Sequence, residues 1–386
     1  MATRRSFMGI IGGGVVLAAG GGILWANTRD PAAARRPWDV AREMAGGMET
    51  DPRRKALSYA VLAPNPHNRQ PWLADLSVEN EVTLFCQEDR RLPHTDPFDR
   101  QITIGLGCFL ELFAQAAVAE GHGVDIKLFP DGEPHPRLDA RPVAHIRLSA
   151  DAGVVPDPLF TQVLSRRSNK EAYDLSRPVA TEDLAQIASS ARTSSIAFTN
   201  EEARVAALRT LAWEANYTEI TTPHTLKESI DLIRIGRAEI EASPDGIDLS
   251  GAMMETLAIS GMLSREQMLD QTSTAFQQQV PILKEPFDTA MAFLWQKTPG
   301  NTRVDQIAAG RDYVRLNLAA TAAGVSMHPF SQALQEFPEM RTHFAGMRQA
   351  LEVGPDEILQ MLVRLGYGPH IKGAPRWPYE TRIRSA

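Results

Sequence analysis

Cysteine is nearly absent: Cys86 and Cys108 are the only two in 386 residues. Two cannot build a disulfide framework or a zinc site, and buried free thiols are the simpler expectation. A basic face is also missing. A total of 40 Lys and Arg against 47 Asp and Glu gives a net charge of −7, which excludes the electrostatics of a nucleic-acid binder. Catalytic signatures are equally scarce. The chain contains no GxSxG, HExxH or Cys-x-x-Cys, and its nine histidines include no i, i+4 pair on an expected helix, so a metal site has no support. Six glycines within Gly12–Gly22 are not followed by Gly-Lys-Ser/Thr, which rules out a phosphate loop. Gly105-Leu106-Gly107 lacks the third glycine and the preceding strand of a dinucleotide fingerprint, and close helix packing explains it more simply.

What is present is the composition of a globular protein, 43% hydrophobic and 23% charged, long enough for two or three domains or one duplicated fold. Thr3-Arg4-Arg5-Ser6-Phe7-Met8 precedes an uncharged run from Gly9 to Ala26. The paired arginines followed by Phe7 resemble a twin-arginine export signal. That resemblance implies a leader over residues 1–35, the twin-arginine export machinery as a partner, and an exported, periplasmic protein. An uncleaved leader would act as an N-terminal membrane tether. The glycines lower hydrophobicity and helix propensity, which argues against an ordinary transmembrane helix.

The most informative stretch is Ala63–Trp72, APNPHNRQPW. Pro64 and Pro66 push their predecessors toward extended conformations, and asparagine side chains cap local backbone. The expected result is a stiff loop that follows a helix ending near Leu62 and holds Asn65, His67, Asn68 and Gln70 in fixed directions. Taken alone, these residues suit a rigid turn whose amides satisfy their own backbone. After the loop, Leu73–Cys86 predicts two strands around Glu79-Asn80, and Ile102–Glu120 a helix ending at Gly121. Val124–Phe129 and Val143–Leu148 predict two more strands.

In the second half, Phe160–Asn169 reads FTQVLSRRSN and Lys170 follows. Such a run is ordinarily a solvated helix terminus. Thr181–Ala191 predicts a helix capped at Thr181. Residues about 205–305 are helical in pattern, broken at Thr222-Pro223, Ser243–Gly246 and Pro299-Gly300. Val314–Ala323 predicts a helix, Gly324–Gln332 (GVSMHPFSQ) a strand or turn, and Ile358–Tyr367 an apolar strand. Arg376 lies in the tail beyond it.

The HN-x-QPW string resembles the N-terminal loop of the nitroreductase superfamily of flavin proteins. That resemblance implies that Pro66, His67, Asn68 and Gln70 line an FMN site. It also gives Arg166, Arg167 and Ser168 a role at the FMN phosphate and ribityl chain, as in an RRSxR-like segment, with Lys170 at the flavin N1–C2 edge. His328, Pro329, Phe330 and Ser331 would run past the flavin N5 edge, and Arg376 would reach the phosphate from a PRxP-like tail. The HN loop occurs in residues 37–150 and the RRS segment in residues 155–386. Each half lacks the other's motif, Ala191–Asn200 standing where a second HN loop would fall.

One chain mimicking the family's usual homodimer accounts for this. The implied fold is α+β and nitroreductase-like, internally duplicated, with central sheets flanked by helices, a helical insertion at about 205–305, and a monomer acting as a pseudo-dimer. The pattern is similar to the exported Acg-like branch. The implied activity is an FMN-dependent oxidoreductase that passes electrons or hydride to a small-molecule acceptor from an unknown electron donor, such as a membrane quinol or a partner protein. His67 is a candidate proton donor and Lys170 a stabiliser of the reduced flavin's negative charge. The alternative is a non-catalytic protein that sequesters flavin beneath a lid formed by the insertion.

Overall fold

The computed structural model describes residues 28–384, so the export signal expected in residues 1–35 lies outside it as far as residue 27. Helix α1 (Ala32–Met44) leads to α2 (Pro52–Ala60). The latter starts where Asp51 accepts from Arg53 N at 2.9 Å and Pro52 supplies a preset first turn. The APNPHNRQPW loop follows. Strands β1 (Trp72–Asp75) and β2 (Glu81–Cys86) then form a hairpin, its turn passing through Asn80 at φ 59°. A long apolar helix, α3 (Arg100–Ala119), precedes β3 (His122–Leu128) and β4 (Ala144–Ala150). These four strands make one antiparallel sheet, ordered β1-β2-β4-β3.

The same plan recurs. Helix α4 (Thr181–Ala188) leads through a short loop to β5 (Ser195–Thr199). Where the first half turns directly into its second strand, the second half inserts α5 (Glu202–Thr221), α6 (Pro223–Asp231), α7 (Gly236–Ala242), α8 (Ala252–Ile259), α9 (Arg265–Leu269) and α10 (Thr274–Asp288). A two-stranded parallel pair, β6 (Ile233–Ile235) and β7 (Ile247–Leu249), joins them. Then come β8 (Ala292–Thr298), the long helix α11 (Arg303–Ala322), β9 (Ser326–Pro329), α12 (Arg341–Ala350) and β10 (Ile358–Gly366). The second sheet is ordered β5-β8-β10-β9, again antiparallel. The architecture is therefore mixed α+β with two similar four-stranded sheets packed against helices, as the duplication implies. The two lobes form a pseudo-dimeric arrangement within one chain.

The lobes meet where α3 crosses α11. A Cβ on Gly310 would stand 1.9 Å from Ile104 O, and one on Gly107 would stand 2.3 Å from Ile307 O. Only glycine at both positions lets the backbones approach this closely. Gly105 serves the neighbouring loop, since a Cβ there would lie 3.0 Å from Asn65 Cβ. The packing explanation for these glycines holds.

Two expectations change. Thr181 caps nothing: Ala180 is the N-cap and Thr181 the first helical residue, its hydroxyl accepting from Asn200 Nδ2 at 3.0 Å. The helical pattern read over about 205–305 stops at Asp288, because Ala292–Thr298 is a central strand. A strand buried on both faces carries a continuous apolar run with no period-2 signal to separate it from helix. Phe293 and Trp295 are core residues of that strand, and Met253 is exposed. Cys86 and Cys108 are buried free thiols.

Candidate functional site

The loop between α2 and β1 is wound tightly by its own atoms. Asn65 Oδ1 accepts from Gln70 N at 2.7 Å, and its Nδ2 donates to Ala63 O at 3.1 Å. His67, Asn68 and Gln70 all take positive φ, between 45° and 52°, an unusual density of left-handed backbone for residues with side chains. Asn65 therefore holds the loop's shape, and the amides of Asn68 and Gln70 bond to other segments.

Arg166 is not on a solvated helix terminus. The short 3₁₀ turn at Pro158–Gln162 ends before it, and its side chain is 2% exposed. Its guanidinium donates to Leu62 O at 2.8 Å and to Asn317 Oδ1 of α11 at 3.1 Å. Arg376, 4% exposed, arrives from the tail and donates to Asn68 Oδ1, to Ala63 O at 3.2 Å and to Leu62 O at 3.3 Å. Arg167 donates to Ile371 O at 3.2 Å. All three guanidinium carbons lie over the Trp38 ring, at 5.9, 4.5 and 5.8 Å for Arg166, Arg167 and Arg376. The ring face offers a weak cation–π attraction.

Among the described residues no carboxylate neutralises the three. Burial, reinforced by mutual repulsion, pushes Arg166 down to about 10 and Arg376 down to about 9. Buried Nε atoms of both are left without a hydrogen-bond partner. Buried cations with orphaned donors and no counter-charge are the inverse of an anion. A phosphate group fits them.

Four residues beyond Arg166, at most about 14 Å away along an extended chain, stands Lys170. Its side chain is exposed to solvent, with enough protein nearby to desolvate the ammonium in part. That desolvation lowers its pKa, with Asp248 of β7 opposing. Both half-buried histidines feel its charge. His67 is pushed down to about 4 by burial, then by Lys170 and Arg69, and His328 is held well below its ordinary value by burial, Arg364 and Lys170. Lys170 thus joins the HN loop, the RRS segment and strand β9. The backbone ties two of these directly, Asn169 N donating to Met327 O at 3.1 Å.

The remaining expected residues divide. Ser168 faces the Tyr313 phenol. Pro329 pairs with Val363 in the sheet. Phe330 lies in the core, stacked on Phe287 at 4.0 Å, and Ser331 is buried against Leu362. Gln70 Nε2 donates to Pro244 O of the insertion at 2.7 Å, and its Oε1 accepts from Trp377 N at 2.9 Å. Asn68 Nδ2 donates to Pro375 O at 3.0 Å. These two amides bind the insertion and the tail to the loop, and Asp245 of the same insertion turn pairs with Arg69 at 3.0 Å and Arg90 at 2.8 Å.

Sequence reasoning missed Trp38, Asn169, Asn317 and Arg364. Arg364 donates from Nε to His328 Nδ1 at 3.2 Å, which leaves the neutral imidazole's proton on Nε2. An arginine inside the apolar run Leu362–Leu365 was the available signal.

No family model matches the chain. A Mycobacterium tuberculosis protein provisionally named an NAD(P)H nitroreductase, Rv3131, is 26% identical over 325 residues, covering 82% of this chain and 85% of the relative. A second protein of that organism and similar naming, acg, is 35% identical over 82 residues, 21% of this chain and 24% of the relative. Among solved structures, the FMN-dependent nitroreductase NfnB of Mycobacterium smegmatis in complex with NADPH is similar at a TM-score of 0.36 and 18% identity, covering 57% of this chain and 95% of that one. The sequence similarity to the first of these relatives runs over most of both chains.

Proposed function

We propose that the chain is an FMN-binding oxidoreductase with one flavin site, exported in folded form to the periplasm and passing electrons to a small acceptor. The observation that supports the flavin part of this reading is the uncompensated cluster of Arg166, Arg167 and Arg376, with two orphaned Nε atoms, joined by one short segment to Lys170. The guanidiniums would hold the phosphate. Ser168 would hold the ribityl chain, and Lys170 would neutralise negative charge at the flavin N1–C2 edge. When bound, the cofactor supplies two-electron transfer at N5. Neutral His67 and His328 would offer N–H groups to an acceptor without adding a competing positive charge.

A second reading, non-catalytic flavin retention, draws support from the insertion turn at Pro244–Gly246, which bonds directly to Asn68 and Gln70 of the loop. An absorption spectrum of the purified protein, expressed in the cytoplasm, tests both. Flavin bands that NADPH bleaches anaerobically indicate an open oxidoreductase. Bands that only dithionite bleaches indicate another donor or the retaining role. A colourless protein that cannot be reconstituted with FMN refutes the proposal.

A further inference from the structure

The inserted helix α5 brings a carboxyl group against the loop histidine. Glu219 is 6% exposed, and its Oε1 lies 3.9 Å from His67 Nε2, just beyond direct hydrogen-bond reach. One turn earlier on the same helix face, Asn216 is 8% exposed and its Nδ2 has no partner. Gln335, 6% exposed, bonds Glu219 from the segment after β9, and its own Oε1 is left without a hydrogen-bond partner among the described residues. Buried polar groups left unsatisfied beside a titratable pair mark a wall built to face something. None of Asn216, Glu219 and Gln335 belongs to the loop, RRS or tail motifs.

We infer that Glu219 is the proton reservoir for His67, and that the pair supplies the proton consumed when an acceptor is reduced at this site. The inference rests on the flavin reading above. In the balance A + H⁻ + H⁺ → AH₂, the reduced cofactor is the source of both electrons and one hydrogen. The second hydrogen leaves His67 as its Nδ1–H bond breaks. A water bridging the 3.9 Å gap relays the Glu219 proton to Nε2, and before the next turnover the ring returns that proton to the carboxylate as solvent reprotonates Nδ1, so one proton is drawn from water per acceptor reduced.

Surrounding charges keep the resting proton on Glu219 and disfavour one held on His67, so a proton that reaches the ring is passed on. His67 is faced by Lys170 and Arg69 as well as Glu219, and Glu219 by Glu228 of α6 and uncharged Gln335. His343 of α12 bonds Thr218 Oγ1 at 2.8 Å instead. Burial pushes the Glu219 carboxyl up to about 7 and holds His67 down to about 4. At neutral pH the imidazole is uncharged and the proton is shared between the carboxyl and solvent. The site is then a donor ready to be used rather than an ion pair.

Glu219→Gln keeps the volume and the contact with Gln335 but holds no titratable proton. In the cofactor-free wild type, infrared difference spectra should contain a carboxylic-acid band that titrates near pH 7 and is missing from E219Q. In the flavin-loaded protein, dithionite reduction should be unchanged by E219Q. Reoxidation by 1,4-benzoquinone should slow by about 100-fold. H67Q should slow it equally, and the double variant no further. Should E219Q fail to fold, E219D retains the acid band and is expected to slow reoxidation by lengthening the gap. A wild type without the titrating band overturns the inference, as does a benzoquinone step within twofold of wild type in E219Q. A protein that takes up no flavin overturns the flavin reading along with it.

Discussion

Arg376→Gln separates a phosphate-binding cluster from a structural one. The guanidinium is fully buried beside two others, and burial together with Arg166 and Arg167 holds it down to about 9. Set against an ordinary 12.5, that is a standing penalty of roughly 5 kcal/mol on the charged form. A phosphate dianion would relieve it through charge-assisted hydrogen bonds worth about 1.5–3 kcal/mol each. FMN carries that group and riboflavin does not, so the pair isolates its contribution. In R376Q the FMN affinity should fall by about 3 kcal/mol, roughly 100-fold, while riboflavin affinity changes little. The preference for FMN over riboflavin should collapse.

The same substitution strips donors from Leu62 O and Ala63 O while ending the repulsion with Arg166 and Arg167. These effects oppose each other, so the thermal midpoint should move by only a few degrees and is a poor discriminator. Fluorescence-quenching titrations of both flavins, on both proteins, decide the matter. If R376Q weakens FMN and riboflavin equally, or neither, the cluster does not hold a phosphate and the reasoning fails.

Gly310→Ala should destabilise the fold by about 3 kcal/mol or more in urea, because its Cβ would meet backbone of α3 at 1.9 Å and neither helix can yield. Gly346→Ala, in α12 with nothing within 4 Å of the added Cβ, should instead stabilise by about 0.5–1 kcal/mol, and equal losses in the two variants would refute the packing account. Burial pushes the Cys86 thiol up to about 12 and raises Cys108 as well; both should ignore a thiol reagent at pH 8 until guanidinium unfolds the chain, and stoichiometric labelling of the native protein would contradict that. FMN should saturate at one per chain, and a stoichiometry of two would mean that the second half retains a working site.

The loop at Ala63–Trp72 was legible as stiff because Pro64 and Pro66 restrict the backbone locally. What its side chains bind was not legible: Gln70 bonds Pro244 and Trp377, which lie far along the chain. Arg166 and Arg167 read as solvated because composition cannot report burial. Their platform, Trp38, belongs to a helix that looks merely amphipathic, and three remote segments are needed to make it a site. Helix α3 was readable from its apolar run, but only the second half of α11 was, since Val314–Ala323 is predicted and the helix begins at Arg303; β8 was absorbed into the helical stretch, its strand character fixed by β5 and β10 on either side. Glu219 left a usable trace. Val205, Leu208, Ala212, Ala215, Asn216 and Glu219 recur at helical spacing on the buried face of α5. A carboxylate in line with that stripe has to be protonated, paired or functional.

Duplication supplies two loops in equivalent positions, and charge compensation distinguishes them. Two residues past α2, Leu62 O accepts from Arg166 and Arg376. Two residues past α4, Ser190 O accepts from Arg315 at 2.8 Å. The geometry is the same but the surroundings are opposite. Arg315 pairs with Glu111 at 3.1 Å and Asp157 at 2.5 Å, and although burial lowers its pKa, these acids more than reverse the effect and raise it. Asp312 accepts the backbone N–H groups of Arg192, Thr193 and Ser194 at 2.7–2.9 Å, filling the second loop's donors from within. The buried arginine of that loop thus has its counter-charges within the protein. Around Leu62 the arginines find carbonyls, amides and an aromatic face but no acid, and their pKa values fall. A fold indifferent to ligand would have no cause to treat two equivalent loops so differently. On the flavin proposal, the half that lacks its counter-charge would take it from the cofactor's phosphate.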